Sequence, residues 1–153
     1  MSTRIALGAL ATLAALALGA CSPGAPDGIS KAALDGAVGD AIGDPNTCVL
    51  IGKTGGGVVY QYGTHEVCGA TWPACQGAAS GTVESLLAQA LKGGAPVEVS
   101  CSSNPDGSRG VAWSAGPVEG HGLVYAARME GASIPPGRVI TEKLKAAFKK
   151  AGL

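Results

Sequence analysis

The first twenty residues limit the fold most, because they have the pattern of an export signal rather than of a folded domain. Arg4 is the one charged side chain among them, and a 14-residue apolar run follows from Ile5 to Leu18. A helix that spans a bilayer needs about 20 apolar residues, whereas a secretory signal has a positive start, a shorter apolar middle and small residues before its cleavage site. We therefore expect residues 1–20 to be cleaved. The alternative is a buried core helix of the mature domain.

The apolar run ends in Leu18-Gly19-Ala20-Cys21, and this box resembles the lipobox of bacterial lipoproteins. The resemblance is confined to the first 22 or so residues. It implies that Cys21 receives a diacylglyceryl group on its thiol, that cleavage occurs before it, and that its new amine is acylated. It therefore implies an exported chain anchored to the cell membrane through lipid on Cys21. Ser22 follows, which in this family favours the outer membrane, facing the periplasm, if the host is Gram-negative. An ordinary secreted cysteine is the alternative.

Four cysteines remain in the mature chain, and they predict two disulfides. An even number in an exported domain is typical of a disulfide framework, although three pairings are open for Cys48, Cys68, Cys75 and Cys101. We favour Cys68–Cys75, because the residues between them can turn the chain back on itself. We pair Cys48 with Cys101 because the alternation of apolar residues places each on the apolar face of its strand.

A metal or redox centre is the alternative for the same region. His65, Glu66 and Cys68 lie close together in the sequence. Structural zinc sites usually place two to four residues between paired cysteines, whereas six separate Cys68 from Cys75. Neither a Cys-x-x-Cys pair nor a His-Glu-x-x-His helix occurs. We therefore expect no metal and no cofactor.

The charge balance bears on the class of partner. Eleven basic residues face eleven acidic ones, and loss of Arg4 with the signal leaves ten basic residues. Nucleic-acid-binding domains usually carry a basic excess, so we expect no nucleic-acid partner. An envelope protein or a small ligand fits a nearly neutral domain.

The mature chain reads as a tether at residues 21–29 followed by a single α+β domain at residues 30–153. Residues 22–29 contain two prolines and two glycines. Apolar periodicities and turn residues predict the order α-β-β-α-β-β-β-α, with helices packed on an antiparallel sheet of about five strands. Predicted helices begin after Ser30, Thr82 and Pro136; the strands lie near 48–51, 58–62, 97–101, 111–115 and 123–129. Residues 63–81 form the longest irregular stretch, which is typical of a functional or a cross-linked loop.

This element order is similar to that of roadblock and other profilin-like domains. The similarity lies in the order alone and in no motif. It implies a domain that binds partners or small ligands, without specifying either.

Two candidate sites have weaker support. Tyr60, Tyr62, His65 and Trp72 could form a binding patch with exposed aromatic rings, or the rings could close a thin core. His65 and His121 could act as general bases, but no Gly-x-Ser-x-Gly elbow accompanies them. Gly52-Lys53-Thr54 lacks the first glycine of a phosphate-binding loop, and we predict a hairpin tip there.

We therefore expect a lipid-anchored envelope domain that binds a partner or a small ligand without catalysis. A small exported hydrolase or redox enzyme that uses residues 63–81 is one alternative. A structural envelope component is another.

Overall fold

A five-stranded antiparallel sheet forms the centre of the computed structural model, which describes residues 23–153. The helices are α1 (Lys31–Ile42), α2 (His65–Gly69), α3 (Val83–Leu91) and α4 (Gly137–Ala151). The strands are β1 (Cys48–Lys53), β2 (Gly57–Tyr62), β3 (Val97–Ser102), β4 (Gly110–Val118) and β5 (Leu123–Gly131). The predicted α+β class and antiparallel sheet are confirmed. The order differs by α2, a short helix in the segment that we predicted to be irregular.

The predicted signal segment and Cys21 lie outside the described residues. Among residues 23–153, no helix combines the length and the apolar character needed to cross a bilayer.

The strands lie in the order β2-β1-β5-β4-β3, and each pairs antiparallel with its neighbours. Alternating side chains point to opposite faces of the sheet. On β5, Tyr125 and Ala127 pack in the cluster that contains residues of α1 and α4, whereas Ala126 packs in the cluster that contains residues of α3. The molecule is therefore a three-layer structure, with α1 and α4 on one face of the sheet and α2 and α3 on the other.

The helix ends follow the predicted signals. Ser30 caps α1 by accepting a hydrogen bond from the Ala33 backbone N–H at 3.3 Å. Thr82 and Ser85 form a reciprocal capping box at the start of α3, with Thr82 Oγ1 accepting from the Ser85 N–H at 3.2 Å. These caps satisfy backbone N–H groups that the first helical turn leaves without partners.

Strand β4 is longer than predicted, because residues 116–118 continue the ladder with β5 instead of turning. Pro117 pairs with Val124 in this extension. A proline donates no backbone hydrogen bond, so it is tolerated only where a strand lacks a neighbour on one side. Pairing of β3 with β4 ends at Val97 and Ala115, which leaves Pro117 beyond the end of β3.

The disulfide pairing that we favoured from the sequence is wrong. Cys48 is bonded to Cys68, and Cys75 to Cys101. Cys48 and Cys101 do share a face of the sheet, as predicted. However, β5 and β4 lie between β1 and β3, and neighbouring strands are about 4.8 Å apart. The three strand spacings between Cys48 and Cys101 are too long for a disulfide.

The start of the described chain packs against the domain. Pro26 is buried, and the Ile29 N–H donates to its carbonyl oxygen at 3.0 Å. Ile29 packs against the core cluster of α1 and α4, next to Gly152. Residues 26–29, which we assigned to the tether, therefore lie on the domain.

Candidate binding cleft

Residues 63–81, which we call the strap, cross the α3 face of the sheet and are fastened at two strands. The Cys48–Cys68 disulfide joins the strap to β1, and the Cys75–Cys101 disulfide joins it to β3. Cys48 and Cys68 are almost completely buried, whereas Cys75 and Cys101 are half-buried. The interpretation of this long segment as a cross-linked loop is confirmed.

Between the two disulfides, Trp72 of the strap stacks on Trp113 of β4. The ring centroids are 4.9 Å apart and the planes differ by 17°. The Trp72 backbone N–H donates to the Gly81 carbonyl at 3.0 Å, which holds the two ends of this part of the strap together. Both tryptophans are at least 97% buried. Such a pair stabilises the fold beyond its burial by about 0.5–1.5 kcal/mol.

A cleft of about 230 Å³ opens beside the tryptophan pair. The strap, α3, β3 and β4 all contribute to its wall. No charged side chain lines it; its members are Trp72, Ala78, Ala79, Ser80, Gly81, Ser85, Leu86, Gln89, Val97 and Trp113. Ser85 and Gln89 are exposed on α3 and place polar groups at the opening. The cleft is therefore an uncharged, mostly apolar recess with a polar rim, as is usual for small-molecule sites.

The indole N–H of Trp72 has no hydrogen-bond partner, although the side chain is only 3% exposed. The ring edge formed by Cζ2 and Cε2 lies beside Gly81. A methyl group at position 81 would be 3.3 Å from Cζ2 of Trp72 and 2.9 Å from Oγ of Ser85. Trp72 and Ser85 therefore pack closely against the backbone of Gly81.

Arg128 joins α2, near the N-terminal end of the strap, to β5 of the sheet. It is 3% exposed, its Nη1 donates to the Val67 carbonyl at 3.4 Å, and its Nη2 pairs with Glu130. Glu130 also lies 3.8 Å from Nε of Arg109. Burial lowers the pKa of the Arg128 guanidinium, and the charge of Glu130 opposes that shift. Glu130 lies two residues away on the same face of β5, which places its carboxylate beside the guanidinium.

The residues of the predicted patch are not brought together. Tyr60 is completely buried and Tyr62 half-buried, and both pack in the α1 and α4 cluster on the face opposite Trp72. His65 is exposed at the start of α2. The alternative, that the rings close the core, is confirmed for Tyr60 and Trp72.

The remaining sequence candidates lie apart. His65 is near the Cys48 end of β1, whereas His121 is in the β4–β5 turn, next to the strand pair Lys53 and Leu123 at the other end. Lys53 ends β1, so the hairpin tip is confirmed. Cys68 is oxidised and offers no thiolate. Within residues 23–153, no group of three or more His, Cys, Asp and Glu side chains could hold a metal ion.

Sequence reasoning missed the partners of Trp72. Trp113 alternates with the other residues of β4 so that it shares a face with Val111 and Ala115, and all three pack in the cluster of α3. The strap, held by its two disulfides, places Trp72 on that same face, and no local sequence pattern predicts this contact. The sequence did not indicate that Gln89 lines a cleft, because an exposed polar residue on a helix is common.

Comparison of the chain with protein-family models, with curated proteins and with solved structures finds no significant match in any of the three.

Proposed function

We propose that this chain is a lipid-anchored envelope protein whose domain binds a small ligand or a partner without catalysing a reaction. One observation carries the proposal: a signal-like segment ends in Leu18-Gly19-Ala20-Cys21, and all four later cysteines are paired. Disulfides persist in oxidising compartments such as the periplasm and the cell surface. Export therefore accounts for the paired cysteines, and lipidation accounts for the fifth.

Residues 26–29, which lie on the domain and which we call the docked segment, support a close attachment to the membrane. Because Pro26 is buried in the domain, only residues 22–25 separate it from Cys21. The five residue steps from Cys21 to Pro26 span at most about 18 Å. Two or three acyl chains on one cysteine would hold the domain firmly, since each buried CH₂ contributes about 0.8 kcal/mol.

The cleft beside the tryptophan pair supports the binding role. It combines an apolar wall with polar groups at the rim, and the disulfides fix the strap that forms one side of it. A recess that is held open in this way binds a ligand with little loss of conformational entropy.

The variant Cys21→Ser tests the anchor. We expect the wild-type chain in host membranes to begin at Cys21 with a mass increase that matches two or three acyl chains, and C21S to lose that increase. Ser22→Ala is the matched control and should keep it. A bare Cys21 in the wild-type chain would contradict the proposal. Peptide mapping without reduction should give Cys48–Cys68 and Cys75–Cys101, whereas free thiols at Cys68 and Cys75 would favour a redox enzyme.

A further inference from the structure

We infer that the cavity between α4 and the β4–β5 turn binds the headgroup of a zwitterionic phospholipid, one that carries a phosphate and a primary ammonium group. The inference rests on the lipid anchor of the proposed function, which brings the bilayer to this end of the domain. It does not rest on the cleft beside the tryptophan pair, which lies on the opposite face of the sheet.

The cavity, about 460 Å³ in volume, lies at the end of the domain to which the anchor is attached. Leu153 lines it, and Leu153 also lines the smaller cavity to which Pro26 contributes. The chain from Cys21 to Pro26 spans at most about 18 Å, so lipid on Cys21 brings the bilayer surface close to Leu153. Of the charged residues that α4 contributes to the cavity, Lys149 is then nearest the anchor and Glu142 farthest from it.

The charged side chains of the cavity match the charges of such a headgroup. Lys145 and Lys149 lie one turn apart on α4, and Glu142 lies one turn before Lys145, so the three share one side of the helix. Glu119 of the β4–β5 turn faces them, with its Oε1 3.6 Å from Nζ of Lys145. Within residues 23–153, neither Lys149 nor Glu142 takes part in an ion pair. One cation and one anion of the cavity are therefore available to a ligand.

The order of these groups matches the order of the groups in the lipid. Along α4, away from the anchor, the cavity presents the apolar Leu153, then the cations Lys149 and Lys145, and then the carboxylate of Glu142. A phospholipid presents its acyl chains and glycerol, then its phosphate, and then its ammonium group with increasing distance from the bilayer core. A phosphate against lysines and an ammonium group against a carboxylate form charge-assisted hydrogen bonds, which are stronger than neutral ones.

The experiment uses three soluble probes. Dihexanoylphosphatidylethanolamine carries both charges, dihexanoylphosphatidylglycerol lacks the ammonium group, and glycerophosphoethanolamine has the same headgroup without acyl chains. The full protein is titrated as the host processes it, in phosphatidylcholine nanodiscs if it is acylated and in buffer if it is not. Amide signals in ¹⁵N–¹H spectra are followed for Gly120, next to Glu119 of the cavity, and for Gly107, in the β3–β4 turn at the other end of the sheet.

We expect the ethanolamine lipid to shift the Gly120 signal to saturation and to leave the Gly107 signal unchanged. The glycerol lipid should bind about tenfold more weakly, because it lacks the ionic hydrogen bond to Glu142. Equal affinity for the two lipids, or no saturable shift below the micelle concentration, would overturn the inference. Glycerophosphoethanolamine should also bind more weakly than the ethanolamine lipid. Equal binding would overturn the assignment to a phospholipid, because the cavity would then recognise a free headgroup.

Two variants test the assigned contacts. Glu142→Gln should remove the preference for the ethanolamine lipid, whereas Lys149→Gln should weaken both lipids by about tenfold. Glu98→Gln and Lys92→Gln are the matched controls, since each removes the same charge from an exposed side chain outside the cavity. An E142Q variant that keeps the wild-type preference would overturn the inference. The probes need no anchor, so a bare Cys21 contradicts the anchor alone, and failure of the titration contradicts the headgroup site alone.

Discussion

At the scale of the residue, the aromatic side chains of the predicted patch differ in burial and in surroundings, although the sequence gives no reason to distinguish them. Tyr60 is completely buried beside α1, and its hydroxyl has no hydrogen-bond partner. Lys31 lies 5.6 Å from the centre of its ring and pairs with Asp35. Burial raises the pKa of the Tyr60 phenol, and the negative charge of Asp35 raises it further. Tyr60 is thus a core residue with a protonated hydroxyl, not part of a binding surface.

Tyr60→Phe should therefore change stability only in alkali. Because the folded pKa is raised, the unfolded chain loses the phenolic proton first. The wild type keeps its full stability below pH 10 or so and loses about 1.4 kcal/mol per pH unit above it from this residue. We expect urea unfolding to give Y60F a free energy within about 1 kcal/mol of the wild type at pH 7, since an unpartnered hydroxyl is lost. Between pH 10 and 11.5 the free energy of Y60F should fall less steeply. Equal slopes would contradict the assignment.

At the scale of the element, the sequence located helix ends well but not helix contacts. Ser30, Thr82 and Pro136 precede helices as predicted, because capping and proline geometry act within a few residues. Gly36 and Gly137 both lie in helices, and the sequence gives no means of telling their roles apart. In the structure, Gly36 is exposed with no atom near it, whereas a methyl group at Gly137 would lie 2.6 Å from the Val99 backbone nitrogen.

The two glycines should respond oppositely to substitution by alanine. Gly36→Ala should raise the free energy of unfolding by up to about 1 kcal/mol, the usual gain in helix propensity. Gly137→Ala should lower it by about 1–3 kcal/mol, because α4 must move away from β3. Urea denaturation of both variants measures the difference. A stabilising G137A would show that the start of α4 does not need this close approach.

At the scale of the whole molecule, the strap and the docked N-terminal segment complete the two faces of the sheet. The strap covers the face with the tryptophan pair, while Ile29 packs against the cluster of α1 and α4 on the other. Pro26 lines a small cavity together with Lys53 and His121, which lie at the end of the sheet opposite Cys48. An anchor on Cys21 would therefore hold this end of the domain towards the bilayer.

Removal of the docked segment should weaken the domain. We expect a chain that starts at Ser30 to unfold at lower urea concentration than one that starts at Pro23. The loss should be about 1–2 kcal/mol, because the half-buried Ile29 side chain no longer covers the core. A variant Ile29→Ala in the longer chain should reproduce most of the loss. Identical midpoints for both chain lengths would show that residues 26–29 are only a tether.

Sequence patterns predict the α+β class, the antiparallel strands, the starts of the helices and the faces on which Cys48 and Cys101 lie. These features depend on periodicity, capping and turn chemistry, which act over a few neighbouring residues. The pairing of the cysteines and the stacking of Trp72 on Trp113 follow only from the tertiary fold. Both depend on the strand order β2-β1-β5-β4-β3, which sets the distance between residues far apart in the chain, and no local pattern encodes that order.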